Sequence, residues 1–270
     1  LNYQNKGWYI NTSYNLVGPR ITNVGTKNYL EYYEKQRHII DLQLGKTFKK
    51  DKIDLKLNLN PLQVDLIDKL IYSNDPFIAV RAGWGSGKTS ALVFALWTWS
   101  KLHPNKSSLL VTDTTPRYRS VLGPELEKWL VPYGWQYHQQ DGKWQAPNGH
   151  VVWTRSYFRP GTRDATHNPL EGLNIPSGLA LIDECQTLSE EVAQKTLGRL
   201  RSGPAPKLIM VGLPVWDAWW VAFAERANCQ PILHSSHVNK ANLSDAWFEA
   251  VKNLPEIERL AMVENQPRPP

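Results

Sequence analysis

The run Ala82-Gly83-Trp84-Gly85-Ser86-Gly87-Lys88-Thr89 contains the residue types needed to hold a chain of phosphates. Glycines at 83, 85 and 87 let the backbone curl until consecutive N–H groups face inward. A helix beginning at Thr89 points its positive end at the same place. Lys88 then reaches the β- and γ-phosphates and the Thr89 hydroxyl faces a magnesium ion, which makes this a Walker A loop with alanine at the first glycine position. With Arg81 ahead of it and Ser90 after it, residues 81–90 form the candidate nucleotide-binding segment. About 95 residues downstream, Leu181-Ile182-Asp183-Glu184 is an apolar run ending in two acids. Such a pair alone reads as an exposed loop. Combined with the upstream lysine loop, Asp183 becomes the expected Mg2+ ligand, a Walker B acid, and Glu184 the group that orients and activates water against the γ-phosphate. An acid so placed points to hydrolysis by water, and not to transfer to another substrate. A third segment, Met210-Val211-Gly212-Leu213-Pro214, puts Gly212 where a loop can sense the γ-phosphate, although a tight turn after a core strand reads equally well.

These segments need elements to position them. Phe77–Val80, Ser108–Thr112, Leu179–Ile182 and Leu208–Val211 are short apolar runs that read as buried strands. Helices are expected at 61–75, opened by the cap Asn60 with Pro61 in the first turn, and at 89–102. Further helices are expected over 116–130, interrupted near Gly123-Pro124, and at 189–200, 216–227, 244–253 and 256–264. Asp141-Gly142, between Trp135-Gln136-Tyr137 and Lys143-Trp144-Gln145, signals a hairpin that Val151-Val152-Trp153 extends. Residues 159–178 read as a long functional loop. Apolar strands alternating with helices predict an α/β fold with a mainly parallel sheet flanked by helices. Right-handed crossovers then bring residues 83–89, 183–184 and 212–214 to one sheet edge.

Charge and composition narrow the class. Among 270 residues, 41% are hydrophobic and 21% charged, which excludes wholesale disorder. No apolar run reaches the roughly 18–20 residues of a membrane span. Two cysteines, Cys185 and Cys229, make no disulfide framework, so a reducing intracellular setting is expected. The opening Leu1-Asn2-Tyr3-Gln4 carries no signal-peptide pattern. Residues 1–60 hold ten basic and five acidic side chains, five of the six net positive charges, among many aromatics. A basic, aromatic stretch binds a polyanion through displaced counterions, or serves as a solvated arm. His234-x-x-His237 beside Cys229 fits no zinc spacing.

Residues 60–265 resemble the large terminase subunit of tailed bacteriophages, the motor ATPase that packages DNA. Five segments carry the resemblance in order: Pro61-Leu62-Gln63, Arg81–Thr89, Leu181–Glu184, Gly212-Leu213-Pro214 and Ser235–Phe248. It implies a RecA-like P-loop NTPase of the additional-strand, catalytic-glutamate type with a small helical lid. The expected division is an N-terminal extension over 1–59, an ATPase core over 60–214, and a lid with a Pro-rich tail over 215–270. It further implies that Gln63 contacts adenine, that Gly212 belongs to a coupling motif, and that ATP and Mg2+ are bound. The implied partners are double-stranded DNA, a homo-oligomeric ring (a pentamer) on a portal protein, and a small terminase subunit, in the host cytoplasm and without a membrane. Two departures stand out. Trp84 replaces the arginine common four residues before the lysine, which Arg81 partly replaces. Glu171-Gly172 replaces the Arg-Gly pair that supplies an arginine finger, leaving Arg159 and Arg163, then Arg199 and Arg201, as candidates. The family's nuclease domain would follow the lid, so no cleavage activity is expected of this chain.

Three other readings compete. A helicase-like remodeller needs a second RecA-like domain, and about 55 residues after 215 are too few. A GTPase-like switch is suggested by Asn239-Lys240-Ala241-Asn242, which resembles a guanine-reading motif but ends in the wrong residue. A small-molecule kinase has no use for Glu184.

Overall fold

The computed structural model describes residues 59–158, 169–203 and 205–268, and the backbone of five strands between residues 2 and 46. The chain divides into two compact units, residues 1–59 and 60–270. In the first, β1 (Asn2–Asn5) pairs antiparallel with β2 (Trp8–Val17), β2 with β5 (Arg37–Lys46) over ten residues, and β3 (Arg20–Asn23) with β4 (Tyr32–Glu34). The register sets Ile10 opposite Leu44 and Tyr14 opposite Ile40. Charge dominates a sequence reading of this stretch and hides the period-2 alternation that makes it a sheet.

The second unit begins with α1 (Pro61–Tyr72). Asn60 caps it, its side chain accepting from Gln63 N while Gln63 Oε1 accepts from Asn60 N, each at 3.0 Å. There follow β6 (Phe77–Ala82), α2 (Lys88–Leu102) and β7 (Ser107–Thr114). A single turn, α3 (Thr115–Arg117), widens over Tyr118–Leu122 before α4 (Gly123–Leu130). The widening sits where Pro124 lacks an N–H and its ring crowds the carbonyl four residues back. The hairpin β8 (Gln136–His138) and β9 (Lys143–Gln145) leads to β10 (Val151–Phe158). Then come β11 (Leu179–Ile182), α5 (Glu190–Leu197), β12 (Lys207–Gly212), α6 (Trp219–Arg226), β13 (Ile232–His234), α7 (Asp245–Val251) and α8 (Glu256–Met262).

The eight-stranded sheet runs β13-β6-β12-β11-β7-β10-β9-β8. The first six strands are parallel and the hairpin closes the far side antiparallel. Successive residues of each central strand feed opposite cores. Ile78, Val80, Leu110, Leu181, Ile209 and Val211 pack with α1, α2 and α4, while Ala79, Leu109, Val111, Ala180, Ile182 and Met210 pack with α5 and α6. Both faces are covered, which is why these strands read as unbroken apolar runs. β13 is missing from the sequence reading because three residues carry no measurable period. It lies parallel to β6 with Leu233 opposite Arg81, so the 215–270 stretch contributes a strand to the central sheet. No described helix is long and apolar enough to cross a membrane.

Candidate nucleotide-hydrolysis site

Parallel strands put the loops after β6, β7, β11 and β12 on one edge. The loop after β6 is shaped by glycine. Gly87 has φ 87°, and a Cβ there would lie 2.7 Å from Asn60 Nδ2. Gly83 leaves no room for a Cβ, which would come within 2.5 Å of Ser236 Oγ and 2.7 Å of Met262 O. Gly87 caps α2 without a side-chain bond, so the amides of the first turn remain directed at the cleft. The outer face of the loop is held by asparagines: Asn60 Nδ2 donates to Ser86 O (2.9 Å) and to Asn239 Oδ1 (3.1 Å), and Asn239 Nδ2 donates to Gly85 O (2.7 Å). Gly83 N donates to His234 O and Trp84 N to Met262 O. Lys88 Nζ donates to the carbonyls of Ala82 (2.8 Å) and Gly83 (2.7 Å).

The acids face this loop from β11. Asp183 is 4% exposed and its Oδ1 accepts from Glu184 N at 3.0 Å. Burial, then the neighbouring Glu184, pushes its carboxyl up to about 7, against the pull of Lys88 and Arg117. Burial lowers Lys88 to about 8, opposed by Glu184 and Asp183. The mutual influence of these three groups is the electrostatic signature of one site. Glu184 adopts the left-handed conformation (φ 56°, ψ 49°), at a cost of about 1–3 kcal/mol for a residue with a Cβ. Its Oε1 receives Arg117 Nη2 at 3.0 Å and its Oε2 receives Gln186 Nε2.

Trp84, Gly85, Ser86, Gly87, Lys88, Thr89 and Ser90 line a cleft of about 490 Å³ together with Arg117, Glu125, Glu184 and Leu213. A larger groove of about 890 Å³, between the widened turn at 118–122 and the β8–β9 hairpin, contains none of the phosphate-loop residues. The donor set of the smaller cleft suits a magnesium-bound triphosphate. It offers glycine-turned amides and Lys88 for anionic oxygens and the Thr89 hydroxyl as a hard oxygen ligand of the kind magnesium takes alongside phosphates; Asp183, the other hard oxygen donor expected, is buried next to Glu184 and is not among the lining residues.

Several expected residues stand elsewhere. Arg81 is not a lining residue: its Nε donates to Asn265 Oδ1 at 3.1 Å and Asn265 Nδ2 returns to Arg81 O. Gln63 is committed to the capping box beside Gly87 and does not line the cleft. Gly212 is buried at the end of β12, where a Cβ would lie 2.4 Å from the Trp220 ring; glycine is needed there for packing, and Leu213 meets the cleft instead. Ala82 and Gly83 contribute carbonyls that hold Lys88, and Ser90 donates its hydroxyl to Glu125. Arg199 lies at the other edge of the sheet, its carbonyl accepting from Ile175 N ahead of β11, and Arg201 follows it. Neither reaches the cleft of its own chain. Arg159 and Arg163 lie outside the described residues. Sequence reasoning missed Arg117, Glu125, Gln186 and Asn239. Arg117 was the detectable one, since the crossover argument that gathers the other loops also gathers the loop after β7.

No family model matches the sequence, and no curated protein is similar to it. Solved structures are. The large terminase of a thermophilic bacteriophage superposes with a TM-score of 0.63 at 14% identity over 76% of this chain and 52% of its own, and it has also been solved with ADP and with ATP-gamma-S. The HK97 bacteriophage large terminase gives 0.60 at 14% identity, over 80% of this chain and 52% of its own. The ATPase domain of the Thermus phage P74-26 large terminase gives 0.54 at 12% identity, over 77% and 93%. The α/β fold with its mainly parallel sheet is the fold of these large terminase structures. The chain spans about half the length of the first two of these proteins.

Proposed function

We propose that this chain hydrolyses ATP and is the motor part of a large terminase that drives double-stranded DNA into a procapsid. The observation that carries the reading is the meeting, at one sheet edge, of Lys88 on its glycine loop with Asp183 and Glu184, on a fold shared with large terminases. Lys88 and the amides that open α2 bind and orient the phosphates. Asp183 and Thr89 would hold magnesium, which when bound would supply positive charge against the terminal phosphate oxygens. Glu184 orients a water and accepts its proton as the water attacks, while Arg117 holds the carboxylate in place. The helicase and kinase readings gain no support from the geometry. The partners proposed with this role are a ring of copies, a pentamer on a portal protein, a small terminase subunit, and DNA in the host cytoplasm.

Phosphate release under single-turnover conditions, with magnesium and with or without duplex DNA, tests the reading. Wild type is expected to release phosphate and Glu184→Gln to bind ATP without hydrolysing it. A Glu184→Gln protein as fast as wild type, or a preference for GTP in competition binding, overturns it.

A further inference from the structure

Gln186 occupies the turn after the two acids, Cys185–Thr187, and is half-buried. Its side-chain amide is used at both ends. Nε2 donates to Glu184 Oε2, and Oε1 accepts from the backbone N of Leu213 at 3.0 Å. A carboxamide is suited to this because one rigid plane carries both donors and an acceptor. The same two loops meet again further along: Trp219 Nε1 donates to the carbonyls of Cys185 and Leu188, each at 2.8 Å. The loop leaving β12 is therefore fastened to the acidic loop at its start by Gln186 and at its end by Trp219. Trp216, 58% exposed, lies between those two attachments. Glu184 has little freedom of its own. Its backbone is in the left-handed region, its carbonyl accepts from Thr187 N (2.9 Å) and Thr187 Oγ1 (2.8 Å), and Arg117 holds the other carboxylate oxygen.

We propose that Gln186 is a positioning residue that aims the Glu184 carboxylate and links it to the loop leaving β12, so that displacement of the acid is passed to Leu213 and Trp216. This rests on the reading of the cleft as a site of ATP hydrolysis. Gln186 touches neither phosphate nor water in the scheme above; it acts through Glu184.

The test uses the full chain and three variants. Gln186→Ala removes both contacts. Gln186→Glu, nearly isosteric, keeps an acceptor for Leu213 N but replaces the donor to Glu184 with a like charge. Both are expected to lower the single-turnover rate by roughly 10- to 100-fold, the scale of a misplaced catalytic group. Affinity for a fluorescent ATP analogue should change by no more than about twofold, because only the chemical step is affected. Hydrogen–deuterium exchange at the Leu213 amide separates the two ends: faster than wild type in Gln186→Ala, unchanged in Gln186→Glu. A general loss of packing moves both variants together. A wild-type rate in Gln186→Ala, or equal Leu213 exchange in the two variants, overturns the proposal. If Gln186→Ala does not fold, the rate and exchange of Gln186→Glu decide it. Glu184→Gln is the control. If it hydrolyses ATP normally, the ATPase reading itself fails; if it is inactive while Gln186→Ala is fast, only the role of Gln186 fails.

Discussion

The two edges of the central sheet are built from the same strands by opposite rules. At the edge where the parallel strands end, the loops carry charge and left-handed backbone: Gly87 and Glu184 both have positive φ, Lys88 faces two acids, and Arg117 pairs with Glu184. At the edge where they begin, several polar groups are buried against one another or against backbone carbonyls. Ser108 Oγ sits between His150 Nε2 (3.0 Å) and Ser177 Oγ (2.9 Å), and His150 Nδ1 meets His103 O at 2.7 Å. Lys207, 6% exposed, ends on Ser73 O at 2.7 Å. Gly178 and Gly203 pass so closely that a Cβ on Gly203 would lie 2.3 Å from Gly178 Cα. The contrast teaches that interacting acids and bases are gathered at one end, while polar groups at the other serve packing, so chemistry and stability are separable by mutation.

Four experiments break or sharpen that division. The largest effect is expected from Glu184→Gln, which should lower the hydrolysis rate by roughly 100- to 10,000-fold, the range for a lost general base. Its melting temperature should stay close to wild type, since the isosteric amide keeps the same backbone and gives up only a partly exposed ion pair with Arg117; a large drop in melting temperature contradicts the division. Gly203→Ala should do the reverse. It should cost about 1–3 kcal/mol in denaturant titrations, as overpacking does, and leave the rate per folded molecule unchanged. Arg117→Ala should slow hydrolysis by about tenfold, the loss of one charge-assisted contact, with little change in nucleotide affinity; a collapse in binding would instead make Arg117 a phosphate ligand. The smallest effect concerns pH. Burial holds His150 below the ordinary imidazole value of 6.5, and burial lowers His103 in the same way. At these two sites the unfolded chain therefore binds more protons than the folded one, so their contribution to stability is steady above pH 6.5 and falls as pH drops below it, while Asp183, pushed up to about 7, contributes with the opposite sign. Denaturation of wild type and His150→Gln at pH 7.5 and 5.5 isolates the imidazole contribution: acidification should destabilise the variant less than wild type.

What could be read from sequence follows the range of the interactions. The strands β6, β7, β11 and β12 are apolar runs, the turn at Asp141-Gly142 is a local signal, and the Asn60 cap is a contact over three residues, so each was legible. The phosphate loop and the acid pair were legible because their chemistry is written in contiguous residues. Asn239 was not, since its partner Asn60 is 179 positions away. Arg81 and Gly212 misled because proximity along the chain places them beside the site while the pleat and neighbouring packing turn them to Asn265 and Trp220. Arg199, just past the eight residues of α5, stands at the far edge, away from the cleft of its own chain. β1 to β5 were hidden by an eye for charge.

The bonds from Gly83 to His234 and from Trp84 to Met262 bear on how the molecule comes into being. The residues that brace the glycine turn emerge from the ribosome some 150 to 180 positions after it. A nascent chain halted before Met262 would own the whole phosphate-gripping sequence and lack the scaffold that shapes it. Competence for nucleotide therefore waits on residues made long after the turn itself.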